Sequence, residues 1–197
     1  MNVYVKNVER VWFGIASDET EVFATTFASS EKDALRSLRE SIPFDVPFQQ
    51  LDEPSALAER VIAMLKGIYN GKDSSQSFRL ATKYLPNYTG RVLEATRSIP
   101  TGYVSSYGGV ARAVGGGPRA VGNVMARNPF PPIVPCHRVV GSDLTLGGYG
   151  GGLDVKRSFL IRERRGYTSE REVPVNGKKL HVFPVESVLR WLEKGKR

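Results

Sequence analysis

The sequence predicts an α+β fold: a small N-terminal domain of strands then helix, followed by a mostly helical C-terminal domain containing a helix-turn-helix. Three observations predict it. β-prone runs crowd the first 27 residues, helical apolar spacing dominates from Glu31 onward, and a breaker-rich polar run at Gly71–Ser77 separates two halves. The 197 residues suit one large domain or two small ones, and 41% hydrophobic content supplies a core. The expected division is 1–75, an N-terminal scaffold; 76–166, a C-terminal domain holding the helix-turn-helix; and 167–197, a C-terminal hairpin and helix.

Residues 3–27 read as two strands around a turn. Val11-Trp12-Phe13 and Glu21–Phe27 are β-prone, and Ser17–Thr20 is turn material. A helix begins near Glu31, capped by Ser29 or Ser30, with Ala34, Leu35, Leu38 and Ile42 on one face. Pro43, Pro47 and Pro54 punctuate the next stretch. A second helix, from about Ser55 to Tyr69, buries Leu57, Val61, Met64, Leu65 and Ile68.

The second half opens with a helix near Thr89–Ser98, with Val92, Leu93 and Thr96 inward. Two short helical patterns, Tyr107–Val114 and Pro118–Arg127, are separated by Gly115–Gly117, the outline of a helix-turn-helix or of any αα-hairpin. Four prolines keep Asn128–Pro135 extended. The glycine-rich Gly147–Gly152 precedes a helix at about Asp154–Arg165. Asn176-Gly177 makes a type I′ hairpin between Val173–Val175 and Leu180–Phe183, closed by an amphipathic helix through Val188, Leu189, Trp191 and Leu192.

Lysine and arginine outnumber aspartate and glutamate by 28 to 20, a surplus that attracts polyanions and equally serves solubility. No apolar run approaches the roughly 18 residues of a membrane span, and Met1–Lys6 lacks the apolar stretch of a signal peptide, so a cytoplasmic, membrane-free chain is expected. One cysteine and two histidines argue against a disulfide or a structural metal. Cys136 is therefore buried filler or a working thiol.

A thiol attacks as thiolate, and a neighbouring base that takes its proton activates it. His137 is adjacent, although neighbours on an extended segment point to opposite faces, so contact requires a turn or a bridging water. A histidine base needs a partner to fix its tautomer. Glu163 continues the apolar face of Val155 and Phe159 at four-residue spacing, which aims a carboxylate at the core. The bland alternatives are a small buried cysteine, a satisfied structural imidazole, and a helix-end glutamate paired with Arg162, Arg164 or Arg165.

Pro135-Cys136-His137-Arg138-Val139, preceded by Asn128-Pro129, Pro131 and Ile133, resembles the active-site signature of the O6-alkylguanine-DNA alkyltransferases. The likeness runs upstream through Arg91-Val92-Leu93, Ile99-Pro100, Gly102, Val104, Ser106-Tyr107 and Arg119-Ala120-Val121-Gly122. Downstream it includes Gly147, Tyr149, Gly151-Gly152-Leu153, Lys156, Leu160 and Glu163. It covers roughly residues 86–166 in order, with a slightly short glycine turn at 115–117.

The resemblance implies direct DNA repair: a single-turnover transfer of the alkyl group from O6-alkylguanine, and from O4-alkylthymine, to Cys136. It implies a catalytic set of Cys136, His137 acting through water, Glu163 orienting that histidine, Asn128 tying the turn ahead of the site, and Tyr107 supporting leaving-group protonation. Arg119 would fill the gap left by a flipped base. Ala120, Val121 and Gly122 would enter the minor groove, with Ser106 and Tyr107 also at the DNA. Pro131, Val139, Tyr149, Gly150, Gly151 and Lys156 would wall the base pocket. Double-stranded DNA is the implied partner of a monomer, with no cofactor and no metal. Extruding a base costs a few kcal/mol, and degenerate minor-groove readout suits patrol of every sequence.

Two features depart from the family. The N-terminal half lacks the cysteines of the zinc site some members carry, and Gly150 stands where a pocket serine is common. Two other readings remain: a non-catalytic lesion-binding relative, which ordinarily lacks the acceptor cysteine, and a Cys-His hydrolase, which needs an oxyanion hole.

Overall fold

β-branched and aromatic residues form three N-terminal strands, one more than expected. In the computed structural model, which describes residues 1–42, 47–73 and 77–194, β1 (Asn2–Val8), β2 (Val11–Ser17) and β3 (Val22–Ala28) run antiparallel in sequence. Pro43 and Ser74–Gln76 lie outside the described residues. The β1–β2 reversal is made at Glu9 and Arg10, with φ of 55° and 69°. Such turns ordinarily carry Asn or Gly, and neither is there to announce it. β4 (Gln49–Gln50) adds parallel to β1, giving the order β3-β2-β1-β4.

α1 (Glu31–Ser41) starts where Ser30 accepts the backbone N–H of Asp33. α2 (Ala56–Tyr69) starts where Ser55 Oγ accepts that of Ala58. Strand alternation places the helices on opposite faces of the sheet. Ala16 packs with Leu38 of α1, while Phe13 meets Tyr69 of α2 edge-to-face at 5.6 Å.

The chain divides differently from the expected 1–75, 76–166 and 167–197. One compact unit comprises Met1–Tyr69, Asp73–Pro86 and Asn128–Ile133; the other comprises Asn70–Lys72, Asn87–Arg127 and Val134–Arg197. The outer edge of β3 explains the first change. Val22 donates its N–H to Arg79 O, Ala81 donates to Val22 O, and Thr25 bonds Pro129 O through its N–H and Pro131 O through Oγ1. An edge strand presents unpaired donors and acceptors, and residues 79–81 and 129–131 satisfy these.

In the second unit α3 (Asn87–Arg97) buries Val92, Leu93 and Thr96. β5 (Tyr103–Ser106) leads directly into α4 (Tyr107–Val114), and Gly115–Gly117 joins α4 to α5 (Pro118–Ala126). The turn requires glycine: Gly116 has φ +86°, and a Cβ there would lie 2.6 Å from the Tyr88 hydroxyl.

Helices predominate in this unit, as expected, but it also carries a sheet that was not. β6 (Val139–Val140) pairs parallel with β5. β7 (Arg171–Val175) and β8 (Lys178–Pro184) form the Asn176-Gly177 hairpin, and β8 pairs antiparallel with β5, giving β6-β5-β8-β7. α6 (Leu153–Arg162) and α7 (Val185–Lys194) complete it. The tail is thus part of this unit's core. Val185, Val188 and Leu189 cluster with Val104, Val140, Leu146 and Leu160, whereas Trp191, expected on the packed face, is 41% exposed. Among the described residues no helix is long and apolar enough to cross a membrane.

Candidate active site

The prolines ahead of Cys136 end in a tight turn, not an extended strand. Residues Cys136–Arg138 form one 3-10 turn, closed by Arg138 N–H to Pro135 O at 2.8 Å. Three residues per turn separate neighbouring side chains by about 120°, so Cys136 and His137 serve different surroundings. Cys136 lines an open cavity of about 500 Å³ together with Tyr107, Pro118, Gly122, Met125, Ala126, Gly148, Tyr149 and Gly150. His137 points into the core, fully buried and stacked on Phe159 at 4.4 Å.

Glu163 terminates α6 and is also fully buried. Its Oε1 lies 2.8 Å from His137 Nε2, and Arg138 grips the same carboxylate with Nε to Oε2 and Nη2 to Oε1, each at 2.8 Å. Arg138 Nη1 donates to Ile99 O at 2.7 Å and Nη2 to Thr101 Oγ1 at 2.8 Å. Arginine suits this place because its planar fork matches a carboxylate bidentately. The expected His137–Glu163 pairing is present, but Arg138, to which the sequence assigned no role, is the arginine at this carboxylate, not Arg162, Arg164 or Arg165 of the bland alternative.

Burial opposes the charge on Glu163, yet His137 and Arg138 outweigh it and hold the carboxyl down at about 2. Burial likewise keeps His137 below its ordinary value, against the pull of Glu163. The pair therefore stands as an ionised carboxylate and a neutral imidazole. A carboxylate only accepts, so Nε2 carries the ring proton and Nδ1 carries the lone pair. Nδ1 is buried and bonded to none of the described protein groups. It is the ring's basic atom.

The cavity wall is held from behind by Lys156. Its Nζ donates to Val139 O at 2.6 Å, to Leu146 O, and to Gly148 O at 3.3 Å, and burial pushes its pKa down to about 8. Tyr107 donates its hydroxyl to Gly148 O at 3.3 Å. Gly147, at φ +65°, permits this approach, because a Cβ there would lie 2.9 Å from the Tyr107 ring. The Tyr149 hydroxyl shares a hydrogen bond with Cys136. Burial first and Cys136 second raise both phenols, Tyr149 well above the ordinary tyrosine range, so both stay protonated.

Several expected residues sit elsewhere. Val121 is fully buried, because α5 turns Val121, Val124 and Met125 inward, so its side chain presents nothing to a ligand. Arg119 is exposed on that helix, Ala120 and Gly122 are half-exposed, and Asn123 is an exposed neighbour that sequence reading passed over. Ser106 is buried as the N-cap of α4, its Oγ accepting Gly109 N–H at 2.9 Å. Val139 and Lys156 are buried behind the wall, and Gly151 packs beside the Tyr149 ring outside the lining set. Asn128 and Pro131 belong to the N-terminal unit, where Asn128 Oδ1 accepts Phe130 N–H at 3.0 Å. Met125, Ala126 and Pro118 line the cavity without having been foreseen.

Charge is concentrated in the second unit. It holds 19 of the 28 lysines and arginines and only 8 of the 20 aspartates and glutamates, a surplus of 11, leaving the first unit with 9 against 12.

Residues 87–165 match the family described as "6-O-methylguanine DNA methyltransferase, DNA binding domain". The methylated-DNA–protein-cysteine methyltransferase of Methanocaldococcus vulcanius is 34% identical over 117 residues, which cover 58% of this chain and 72% of that protein. The chain belongs to this methyltransferase family. The Pyrobaculum aerophilum member is 57% identical over 65 residues, covering 33% of this chain and 44% of its own length, so this match spans less than half of that relative. The crystal structure of O6-methylguanine-DNA methyltransferase from Pyrococcus kodakaraensis strain KOD1 is similar with a TM-score of 0.65 at 29% identity, over 82% of this chain and 98% of that one.

Proposed function

We propose that the chain repairs DNA by moving the alkyl group of O6-alkylguanine, and of O4-alkylthymine, onto Cys136 in a single turnover. The observation that carries this reading is the position of Cys136: it lines an open cavity on one side and adjoins the buried His137–Glu163–Arg138 system on the other. A thiol sealed in hydrocarbon would not support it.

In this reading His137 Nδ1 takes the thiol proton through a water. The sulfur then forms a bond to the alkyl carbon as the carbon–O6 bond breaks. The electron pair stays with guanine, which takes up one proton with support from Tyr107. Glu163 stabilises the imidazolium that forms, and its bidentate hold on Arg138 fixes its position. Tyr149 O–H donates to the sulfur as negative charge develops there. The product is a thioether, which no group in the site can cleave.

DNA is the partner this reading requires, and the excess of positive charge in the second unit supports it. α4, the glycine turn and α5 act as a helix-turn-helix whose exposed small residues Ala120 and Gly122 enter the minor groove. Arg119 fills the space left by the flipped nucleotide. The protein acts as a monomer, without cofactor or metal.

The test is intact-protein mass spectrometry after incubation with an O6-methylguanine duplex. The expected result is one added methyl group per chain, mapped to the Cys136 peptide and absent in Cys136→Ala. Tight lesion binding without a mass increase assigns the chain to the non-catalytic readers instead, and continuing turnover assigns it to the hydrolases.

A further inference from the structure

The geometry points to the first turn of α7, through Glu186, as a positioning element for the Glu163–Arg138 pair, and this inference rests on the alkyl-transfer reading above. Glu186 and the rest of α7 lie beyond the matched span 87–165. Two arms run from that turn to the two partners of the pair.

One arm ends beside Glu163. Glu186 is buried at 8% exposure, and its Oε1 accepts the N–H of Arg165 at 3.1 Å and of Gly166 at 2.5 Å. These are the amides with which the chain leaves α6, two and three residues after Glu163. A helix end leaves polar backbone groups without helical partners and is free to fray. Here a buried carboxylate from another element fixes the exit, and Gly166, at φ +73°, turns the chain away. Glu163 is the last turn's cap residue, so the direction of its side chain depends on the course of those next residues.

The other arm ends beside Arg138. Val185, the residue before Glu186, donates its N–H to Gly102 O at 2.9 Å, and Tyr103 pairs with Pro184 across β5 and β8. Gly102 follows Thr101, whose hydroxyl accepts from Arg138 Nη2. Consecutive residues of one turn are therefore bonded next to both halves of a buried ion pair. Val185 and Val188 are fully buried, which holds that turn in place.

Glu186 touches neither the thiol nor the cavity, so its effect passes through Glu163 to His137. Loss of the two amide bonds lets the end of α6 move, and displacements near 1 Å at such positions cost about 100-fold in rate. Glutamine keeps an acceptor oxygen at the same reach and restores the geometry. Aspartate is one methylene too short to reach both amides.

The test compares wild type with Glu186→Ala, Glu186→Asp and Glu186→Gln, each measured below its melting temperature. Two readouts are taken: the rate of Cys136 benzylation by O6-benzylguanine, and the pH midpoint of Cys136 carbamidomethylation by iodoacetamide. The expected result is a loss of about 10- to 100-fold in Ala and Asp, an upward shift of the pH midpoint as the histidine loses its carboxylate, and a rate within about threefold of wild type in Gln. If Ala does not fold, Asp and Gln carry the comparison. A lowered melting temperature with rate and midpoint unchanged overturns the inference, as does an equal loss in Gln. Absence of any transfer in the wild type overturns the functional reading itself, a separate outcome.

Discussion

Glu163 Oε1 accepts the Nε2–H of His137 at 2.8 Å, and neither side chain is exposed to solvent. The same carboxylate takes two bonds from Arg138, so one anion balances the cation and orients the base. Replacing it breaks both. Glu163→Gln keeps the shape but presents an amide donor to Arg138 and leaves the guanidinium buried without its counter-charge. Removal of one partner from a buried pair costs about 3–5 kcal/mol. The expected outcome in urea denaturation is a stability loss of about 3 kcal/mol, with transfer to Cys136 slowed by about tenfold or more.

Acid should destabilise the fold in two stages. His137 is held neutral below its ordinary value of 6.5, so the unfolded chain binds more protons as pH falls below that point and stability begins to drop. Glu163 is depressed from 4.5 to about 2, so its contribution is full above pH 4.5 and is lost as pH falls toward 2. That second stage amounts to about 3 kcal/mol. Melting temperatures recorded from pH 7.5 to pH 2.5 follow this course in wild type, and Glu163→Gln lacks the second stage. A curve equally steep in both proteins would contradict it.

Lys156→Met should loosen the cavity wall. The lysine is the donor to Val139 O, Leu146 O and Gly148 O, and methionine leaves those carbonyls without it at a cost of about 1–3 kcal/mol for each that stays buried and unpaired. Faster hydrogen exchange across residues 146–150, together with weaker saturation by O6-benzylguanine, is the expected signature.

Arg119→Ala separates DNA handling from chemistry. The side chain is exposed on α5 and does not line the cavity. Transfer from an alkylated duplex should fall by about tenfold, on the scale of an unstacking cost of a few kcal/mol, while transfer from the free base O6-benzylguanine stays at the wild-type rate. Parallel loss on both substrates would place Arg119 in the cavity chemistry instead.

Alkylation should weaken the fold. The new group must fit against Met125 and Ala126 in the cavity wall, and crowding there strains the packing around Cys136. A cost of about 1–2 kcal/mol corresponds to a fall of about 2–8 °C in melting temperature for a chain of this size. Calorimetry before and after reaction checks it.

The helices were legible because their apolar residues keep helical spacing and their caps are conventional, as at Ser30 and Ser55. Glu163 was legible for a related reason: a carboxylate on the apolar face of α6 asks for a buried partner. Short strands were not. β5 and β6 span four and two residues, too few to display a period, and the β8 partner of β5 lies some eighty positions away. Arg138 escaped notice because nothing local tells a buried guanidinium from a surface one. Val121 was misplaced because the motif names residues, whereas the turn of α5 decides which of them face out.

The most direct measurement titrates a fixed excess of methylated duplex against increasing protein and counts the lesions removed at completion. If Cys136 is a sacrificial acceptor, the count equals the number of chains added and never rises with longer incubation. A count that climbs past one per chain, or that stays at zero while the duplex is bound, would contradict it.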